Sequence, residues 1–318
     1  MRQPIKPAAL RPGDAVRVIS LASPVDEESL DRGCAELKRL GYVPKVDRDV
    51  VLASDSYFAG TGSQRTAALR QALIEPETKA IFCTRGGYGS NYLLDDLGRN
   101  LDAPRPKILL GYSDVTSLQV FLWQKLGWVA LYGPMVASGF DRAANGYDQN
   151  SFCAAISQNA AGWTIDLQGE VMVAGEVEGI VLGGCLTLLE TTLGTPWEID
   201  TAGAILLLED RGMRPYQVDR ALIHLKQAGK LRDVRGIVLG EFPECGAPGG
   251  GESVRDVVVR ILARAFNGRL PIVFGAAIGH TPRPMLTVPL GIRAKLSASA
   301  SSGGHSGTQL EILEPAVA

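Results

Sequence analysis

The segment Lys107–Thr116, KILLGYSDVT, joins an apolar run to the first turn of a helix that continues over 117–122. A short apolar run followed at once by helical spacing is typical of a strand-turn-helix unit in an α/β protein. Ser113 falls on the turn, where a sharp bend would push its hydroxyl outward, beside the unpaired amides of a helix N-terminus. Ser113 is therefore a candidate nucleophile, although Ser113 or Asp114 would also serve as an ordinary helix cap.

Strands and helices alternate throughout the first half of the chain. The predicted strands are 16–21, 43–46, 80–83 and 107–110, and the predicted helices are 27–40, 64–74 and 91–97. Such alternation predicts an α/β fold with a mostly parallel sheet and helices on both faces. We assign this N-terminal α/β domain, which carries the candidate nucleophile, to residues 1–155.

Small and polar residues interrupt the alternation over 158–175, and we predict a linker at 156–176. Residues 177–318 then combine helices at 186–193, 215–227 and 254–266 with several short strands. This mixture predicts a C-terminal α+β domain. Its Ser/Gly-rich stretch, 297–307, is typical of a hairpin tip.

Two buried runs of the second half end in side chains that complement a serine hydroxyl. The run 204–208 leads into Glu209 and Asp210, and the run 272–276 is followed by Gly279 and His280. A serine becomes a strong nucleophile when an imidazole accepts its proton, and a carboxylate on the other ring nitrogen fixes the imidazole tautomer. Ser113, His280 and one carboxylate fit these roles, since successive strand residues point to opposite faces and only one of Glu209 and Asp210 can face the site.

The other histidines and the cysteines favour no competing chemistry. His224 falls inside a predicted helix and His305 in the Ser/Gly-rich stretch, so we expect both to be solvated. The five cysteines are odd in number and lack C-x-x-C spacing, a pattern that favours a reducing compartment over a disulfide framework. H-E-x-x-H and similar metal-ligand spacings are absent, and we expect no metal.

Composition excludes several function classes. The formal net charge of -2 offers no basic surface for nucleic acid, and the longest apolar runs fall far below the ~20 residues of a membrane span. No G-K-[ST] follows a glycine run, and the 85–89 segment departs from the dinucleotide fingerprint, so we expect no cofactor. Residues 1–7 lack the apolar core of a secretory signal, which predicts a cytoplasmic protein.

Six ordered motifs resemble those of the LD-carboxypeptidases, the murein tetrapeptide carboxypeptidases whose wider family also holds the microcin C immunity peptidases. The motifs are RGGYG at 85–89, GYSDVT at 111–116, GPM at 133–135, GG at 183–184, LLED at 207–210, and GHT at 279–281 followed by LTVPLG at 286–291. The resemblance extends over nearly the whole chain. The family often has His where this chain has Tyr132, and Asn where it has Cys185.

The resemblance implies a serine carboxypeptidase with the triad Ser113, Glu209 and His280. It also implies an oxyanion hole formed by the backbone amides of Gly87 and Asp114. The expected reaction releases the terminal D-alanine of a cytoplasmic murein tetrapeptide by cleaving its L,D-peptide bond, in peptidoglycan recycling. We expect the substrate to contact Arg85 and Tyr88, with Arg85 or a helix N-terminus holding its free carboxylate. We also expect a homodimer.

Two other functions remain open. A peptidase or amidase of the microcin-immunity type would use the same triad on peptidyl or aminoacyl nucleotides, and would need an aromatic side chain to stack on the base. Trp163 and Trp197 are the candidates for that stacking. A non-catalytic small-molecule binding module would use Ser113 only to hold a ligand phosphate, and would not require Glu209 and His280 to approach it.

Overall fold

The computed structural model describes residues 3–99, 101, 104–157, 162–247, 249–266, 268–299 and 307–318. The strands of these residues are β1 Ala15–Ile19, β2 Val43–Val46, β3 Ala80–Cys83, β4 Ile108–Gly111, β5 Ala130–Tyr132, β6 Trp163–Asp166, β7 Glu170–Val173, β8 Gly175–Cys185, β9 Ala204–Glu209, β10 Gly236–Gly240, β11 Ile272–Ala276, β12 Val288–Leu290, β13 Arg293–Ala298 and β14 Thr308–Ile312. The α-helices are α1 Glu27–Arg39, α2 Arg48–Val51, α3 Gly62–Ile74, α4 Asn91–Arg99, α5 Thr116–Leu126, α6 Gln149–Ala155, α7 Leu186–Thr191, α8 Pro215–Gln227, α9 Val254–Val258 and α10 Arg264–Phe266.

The first sheet has the strand order β12-β5-β4-β3-β1-β2. Its strands run parallel except for β12, which is antiparallel to β5. β3, β4 and β5 are buried at every position, because the helices that connect parallel strands cover both faces of the sheet. The predicted N-terminal α/β architecture is confirmed.

The second sheet has the strand order β6-β14-β13-β8-β9-β10-β11-β7. Its centre, β8 to β11, is parallel, and its flanking strands pair antiparallel. The predicted α+β character of the C-terminal half is therefore confirmed, and its sheet proves to be mixed. β13 and β14 pair antiparallel, as expected of a hairpin. Most of the stretch predicted to be its tip, residues 300–306 with His305, lies outside the described residues.

Three segments differ from the sequence-based expectations. β6 and β7 lie within the predicted linker, where β6 pairs with β14 and β7 with β11 at the two edges of the second sheet. β12 comes from the C-terminal half of the chain but completes the first sheet, where Val288 pairs with Tyr132. The predicted helix 254–266 changes to π-helical geometry over Val259–Ala263. In the first two cases a short apolar strand pairs with an available sheet edge, and sequence periodicity does not specify its partner.

The two sheets meet close to the end of β8. A Cβ atom on Gly184 would lie 2.6 Å from Thr116 Oγ1 and 2.9 Å from Tyr132 Cε2, so a larger residue would force the sheets apart. The Cys185 backbone N donates to Thr116 Oγ1 at 3.0 Å. The carboxyl end of β8 is thus held directly against the N-terminus of α5. Across the described residues, none of the helices has both the length and the apolar character needed to cross a bilayer.

Candidate active site

Ser113 lies on the bend between β4 and α5. Its φ of 61° places a non-glycine residue in the left-handed region, a strained backbone conformation that clusters at functional sites. The neighbouring loop approaches closely, since a Cβ atom on Gly86 would lie 3.0 Å from Ser113 Cβ and 3.1 Å from its Oγ. The structure therefore shows the strained strand-to-helix turn expected of a nucleophile elbow.

His280 lies directly against Glu209. The backbone N and the ring Nδ1 of His280 are each 2.8 Å from Glu209 Oε2. Glu209 ends β9 and is fully buried, whereas the His280 side chain keeps 17% exposure. Burial pushes the pKa of His280 down, but the charge and hydrogen bond of Glu209, with the charge of Asp210, outweigh burial, so this pKa is raised above its ordinary value. The pair has the arrangement that fixes the tautomer of a general base.

Gly279 allows this close approach of His280 to Glu209. Its φ is 59°, and a Cβ atom there would lie 2.3 Å from Glu209 Cδ. Any side chain at position 279 would displace the carboxylate. A glycine before the candidate base is thus required both by backbone conformation and by space.

Asp210 has a different set of contacts. Its Oδ2 accepts from the backbone N of Thr187, and its Oδ1 from the backbone N of Arg211, each at 2.8 Å. The Cys185 thiol lies 3.6 Å from Asp210 Oδ2. Of the two consecutive carboxylates, Glu209 contacts the imidazole and Asp210 holds the start of α7.

The loop 86–90 contacts the first turn after Ser113. Gly87 has a φ of 115°, and a Cβ atom there would lie 2.1 Å from Ser23 Oγ. The buried Asp114 carboxylate accepts from the backbone N of Gly89 at 3.2 Å and of Ser90 at 2.8 Å. Burial raises the pKa of Asp114, although these donors oppose the rise. The Asp114 side chain thus ties the Gly87 loop to the Ser113 turn.

A small cavity of about 90 Å³ lies between Ser113 and His280. Its lining also includes Gly87, Arg85 and Arg211. A second cavity, of about 340 Å³, shares Tyr112, Ser138, Arg211 and His280 with the first. The candidate nucleophile and base therefore line the same small cavity, and His280 also lines the larger one beside it.

Tyr88 is placed differently from Arg85. It is 45% exposed and packs against Phe58 and Tyr92, with ring centroids 5.9 Å and 5.8 Å apart. Arg85 lines the small cavity, whereas Tyr88 is not part of either cavity wall among the described residues. The structure brings Ser113, Glu209, His280, Gly87 and Arg85 together and leaves Tyr88 beside them in a surface aromatic cluster.

Two side chains at the site were not singled out for a role from the sequence. Arg211 lines both cavities and forms a two-point ion pair with Glu244, with Nη2 2.6 Å from Oε1. Its position two residues after Glu209, just past the end of β9, was the available signal. Tyr132 donates its hydroxyl to Glu209 Oε1, and its departure from the family pattern was the only sign of a special environment.

The cysteines and His224 lie in settings that suit neither nucleophilic attack nor proton transfer. Burial raises the pKa of Cys34, Cys83, Cys153, Cys185 and Cys245, so these thiols hold their protons. The His224 side chain is half exposed, with Nδ1 3.3 Å from Glu190 Oε1. Within the described ranges, His, Cys, Asp and Glu side chains form no group of three suited to a metal ion.

Two family models match most of the chain. The LD-carboxypeptidase N-terminal domain matches residues 16–133, and the LD-carboxypeptidase C-terminal domain matches residues 178–296. The probable murein peptide carboxypeptidase of Bacillus subtilis is 36% identical over an alignment that covers 92% of each chain.

Solved structures share the fold. The muramoyltetrapeptide carboxypeptidase from Oxalobacter formigenes is 28% identical, with a TM-score of 0.77 and coverage of 95% of this chain and 99% of that one. The microcin C7 self immunity protein MccF is 24% identical, with a TM-score of 0.85 and coverage of 99% and 100%. At that identity, the likeness to MccF concerns the fold alone.

Proposed function

The chain belongs to the LD-carboxypeptidase family of serine peptidases, and on that premise we propose that it removes the terminal D-alanine from a murein tetrapeptide. The observation that carries the proposal is the small cavity lined by both Ser113 and His280, together with the contact of His280 Nδ1 with Glu209. This arrangement provides a nucleophile, a base and an orienting carboxylate within one site.

In the proposed reaction, Ser113 Oγ attacks the carbonyl carbon of the L,D-peptide bond. Nδ1 of His280 is engaged with Glu209, so Nε2 accepts the Ser113 proton and then passes it to the departing D-alanine amine. The oxyanion receives hydrogen bonds from the amides of Gly87 and Asp114. A water molecule, deprotonated by His280, then hydrolyses the acyl-enzyme and restores Ser113.

The charge of the recess supports an exopeptidase. A terminal carboxylate next to the scissile bond needs a nearby cation, and Arg85 and Arg211 both line the small cavity that holds Ser113. Arg211 is already paired with Glu244, whereas the Arg85 guanidinium donates only to the Pro24 carbonyl, at 3.3 Å, among its described contacts. We assign the carboxylate contact to Arg85. The adjoining cavity of about 340 Å³ would hold the peptide that precedes the scissile bond.

The alternative, hydrolysis of peptidyl or aminoacyl nucleotides, has less support. Trp163 lies on β6, at the edge of the second sheet, and Trp197 packs on Phe121 with Nε1 3.0 Å from Asp95 Oδ1. Neither indole lines the two cavities beside His280 as the structure describes them. A ring suited to stacking on a base is therefore not supplied by these tryptophans.

One assay separates these functions. Purified protein would be incubated with the murein tetrapeptide and, separately, with an aminoacyl sulfamoyl nucleoside, and the products would be measured by mass spectrometry. Release of D-alanine from the tetrapeptide is expected, and the Ser113→Ala protein serves as the control. Consumption of the nucleoside alone would favour the immunity-type activity, and no turnover of either, with unaltered binding in Ser113→Ala, would favour a binding module.

The proposal places the enzyme in the cytoplasm, in peptidoglycan recycling. The five cysteines are all unpaired thiols, which a reducing compartment preserves. The expected homodimer stays a prediction, and light scattering on the purified chain would test it.

A further inference from the structure

Tyr132 connects the two sheets at the proposed triad. It ends β5 of the first sheet and is fully buried. Its hydroxyl donates to Glu209 Oε1 at 2.5 Å and accepts from the backbone N of Ser113 at 3.2 Å. A single hydroxyl therefore contacts both the carboxylate that would orient the base and the backbone of the residue that would attack.

The hydrogen bonds of Glu209 leave little redundancy. Its Oε2 accepts both N–H groups from His280, and its Oε1 accepts from Tyr132. In the part of the chain that the structure describes, no second donor to Oε1 is present. A buried carboxylate with an unsatisfied oxygen is costly, so loss of the Tyr132 hydroxyl must change how Glu209 interacts with its remaining partner, His280.

Tyr132 stays a neutral donor under working conditions. Burial raises the pKa of its phenol well above the ordinary value, and the neighbouring charge of Glu209 raises it further. Its ring also packs edge-on to Tyr112, with centroids 6.3 Å apart, and Tyr112 in turn packs edge-on to His280 at 5.1 Å. The phenol is therefore fixed in place beside the pair that it would influence.

Resting on the proposed function, we propose that Tyr132 is a positioning residue that holds the Glu209 carboxylate against His280 and takes up part of its negative charge. The hydroxyl thereby limits how strongly His280 retains its proton. Because the hydroxyl also contacts the Ser113 backbone amide, it fixes the position of the Ser113 turn in the first sheet relative to the Glu209–His280 pair of the second sheet.

The direction of the effect follows from charge sharing. Without the hydroxyl, Glu209 keeps only the backbone N and the ring of His280 as hydrogen-bond partners, and more of its charge acts on the imidazolium, so Tyr132→Phe should raise the pKa of His280. Replacement of Tyr132 by 3-fluorotyrosine keeps the ring and hydroxyl but makes the phenol a stronger donor, so it should lower the pKa of His280. A purely structural role for Tyr132 would not shift the pKa of His280 in opposite directions in these two proteins.

The test measures the His280 titration by NMR on the full-length protein, which requires no substrate. Tyr147→Phe is the matched control, because Tyr147 is also buried and donates to a carboxylate, Glu36 Oε1 at 2.6 Å. We expect an upward shift of about 0.5–1 pKa unit in Tyr132→Phe and no shift in Tyr147→Phe. With tetrapeptide substrate, kcat should fall about tenfold in Tyr132→Phe, with KM changed less than about twofold.

The outcomes separate the two proposals. An unshifted or lowered His280 pKa in Tyr132→Phe, or an equal shift in Tyr147→Phe, would overturn the role of Tyr132. If Tyr132→Phe does not fold, the fluorotyrosine protein decides, since a His280 pKa equal to or above that of the wild type would also overturn it. Absence of wild-type peptidase activity would count against the proposed function while leaving the NMR result intact.

Discussion

His280 contacts Glu209 through two donors at once: its backbone N and its ring Nδ1 both lie 2.8 Å from Glu209 Oε2. The backbone contact fixes the position of the His280 main chain, and the ring contact fixes the orientation of the imidazole. Because Nδ1 donates to the carboxylate, Nε2 is the nitrogen that remains to accept a proton. The geometry thus specifies the tautomer before any substrate binds.

Ser113 and His280 should behave as one unit. Each of Ser113→Ala and His280→Ala should lower kcat by about 10³-fold or more, because either change abolishes the attack of an activated hydroxyl. The double variant should lose little beyond either single variant. Steady-state kinetics of the three proteins check this expectation, and strictly multiplicative losses would show that the two side chains act independently.

The pH profile should reveal the charge of Glu209. Proton transfer requires neutral His280, whose pKa is raised, so the acidic limb of kcat/KM should lie above the ordinary imidazole value of about 6.5. Glu209→Gln removes the charge that raises the pKa but keeps the burial that lowers it, so the limb should move below about 6.5. In the same variant, kcat should fall by about 10²-fold, less than on loss of Ser113.

Profiles of kcat/KM against pH for both proteins provide the measurement. An Asp210→Asn protein is a useful comparison, because Asp210 contacts the start of α7 instead of the imidazole. Because the charge of Asp210 also raises the pKa of His280, a small downward shift of the profile is expected in Asp210→Asn as well. Wild-type activity in Glu209→Gln combined with a large fall in kcat in Asp210→Asn would transfer the orienting role to Asp210.

Chelators should leave the activity unchanged. The proposed steps use a hydroxyl, an imidazole and backbone amides, and none requires a Lewis acid. Assays after prolonged dialysis against EDTA check the expectation. Activity that is lost on dialysis and restored by zinc would refute the serine mechanism.

Asp114→Asn should loosen the Gly87 loop. An amide side chain can present only one oxygen to the two backbone donors of Gly89 and Ser90, which leaves a buried N–H facing an NH₂ group. We expect about 1–3 kcal/mol loss in the free energy of unfolding and about a tenfold lower kcat, since one proposed oxyanion donor lies on this loop.

Asp148→Asn is the matched control, because Asp148 caps α6 and asparagine is an equally good N-cap. Denaturant unfolding and kcat would be compared for both proteins. A kcat for Asp114→Asn equal to that of the control would separate the loop from catalysis.

Substrate stereochemistry should be strict at the terminal residue. A site that holds the terminal carboxylate at Arg85 and the scissile carbonyl at Ser113 can accept only one configuration at the terminal residue. Misplacement of the scissile carbonyl by about 1 Å costs on the order of 10²-fold in rate. A peptide ending in an L-centre followed by D-alanine should be cleaved, whereas its L-alanine and C-terminally amidated counterparts should be nearly inert. Equal hydrolysis of all three peptides would contradict an LD-carboxypeptidase.

Arg85→Gln should raise KM for the peptide with a free C-terminal carboxylate, because Arg85 is proposed to bind that group. It should have little effect on any residual turnover of the amidated peptide, which lacks the carboxylate. The Arg85 guanidinium makes one described contact, with the Pro24 carbonyl, so the change should not disturb the core. A parallel Arg211→Gln protein tests the other cation of the cavity. If only Arg211→Gln raises KM, the carboxylate contact belongs to Arg211.

Local sequence was sufficient to predict β1 to β4 of the first sheet to within two residues at each end, whereas β5 and β12 were not predicted. β3 begins and ends at the residues that the apolar run indicated. Ser113 lies on a sharp bend because the chain passes directly from the buried strand β4 into the helix α5. The pair Glu209 and Asp210, and His280, were identified because they lie at or just beyond the ends of buried parallel strands, and the family resemblance then favoured Glu209.

Only the tertiary structure decided which distant groups share a hydrogen bond. Tyr132 and Glu209 are 77 positions apart, on different sheets, and their contact depends on glycine at 184, which lets the two sheets approach. The partners of β6, β7 and β12, and the choice of Glu209 over Asp210 as the His280 contact, likewise depend on sheet order and register. Periodicity along a chain reports which side of an element is buried, whereas the identity of the group that covers it is set by packing between elements that are remote in sequence.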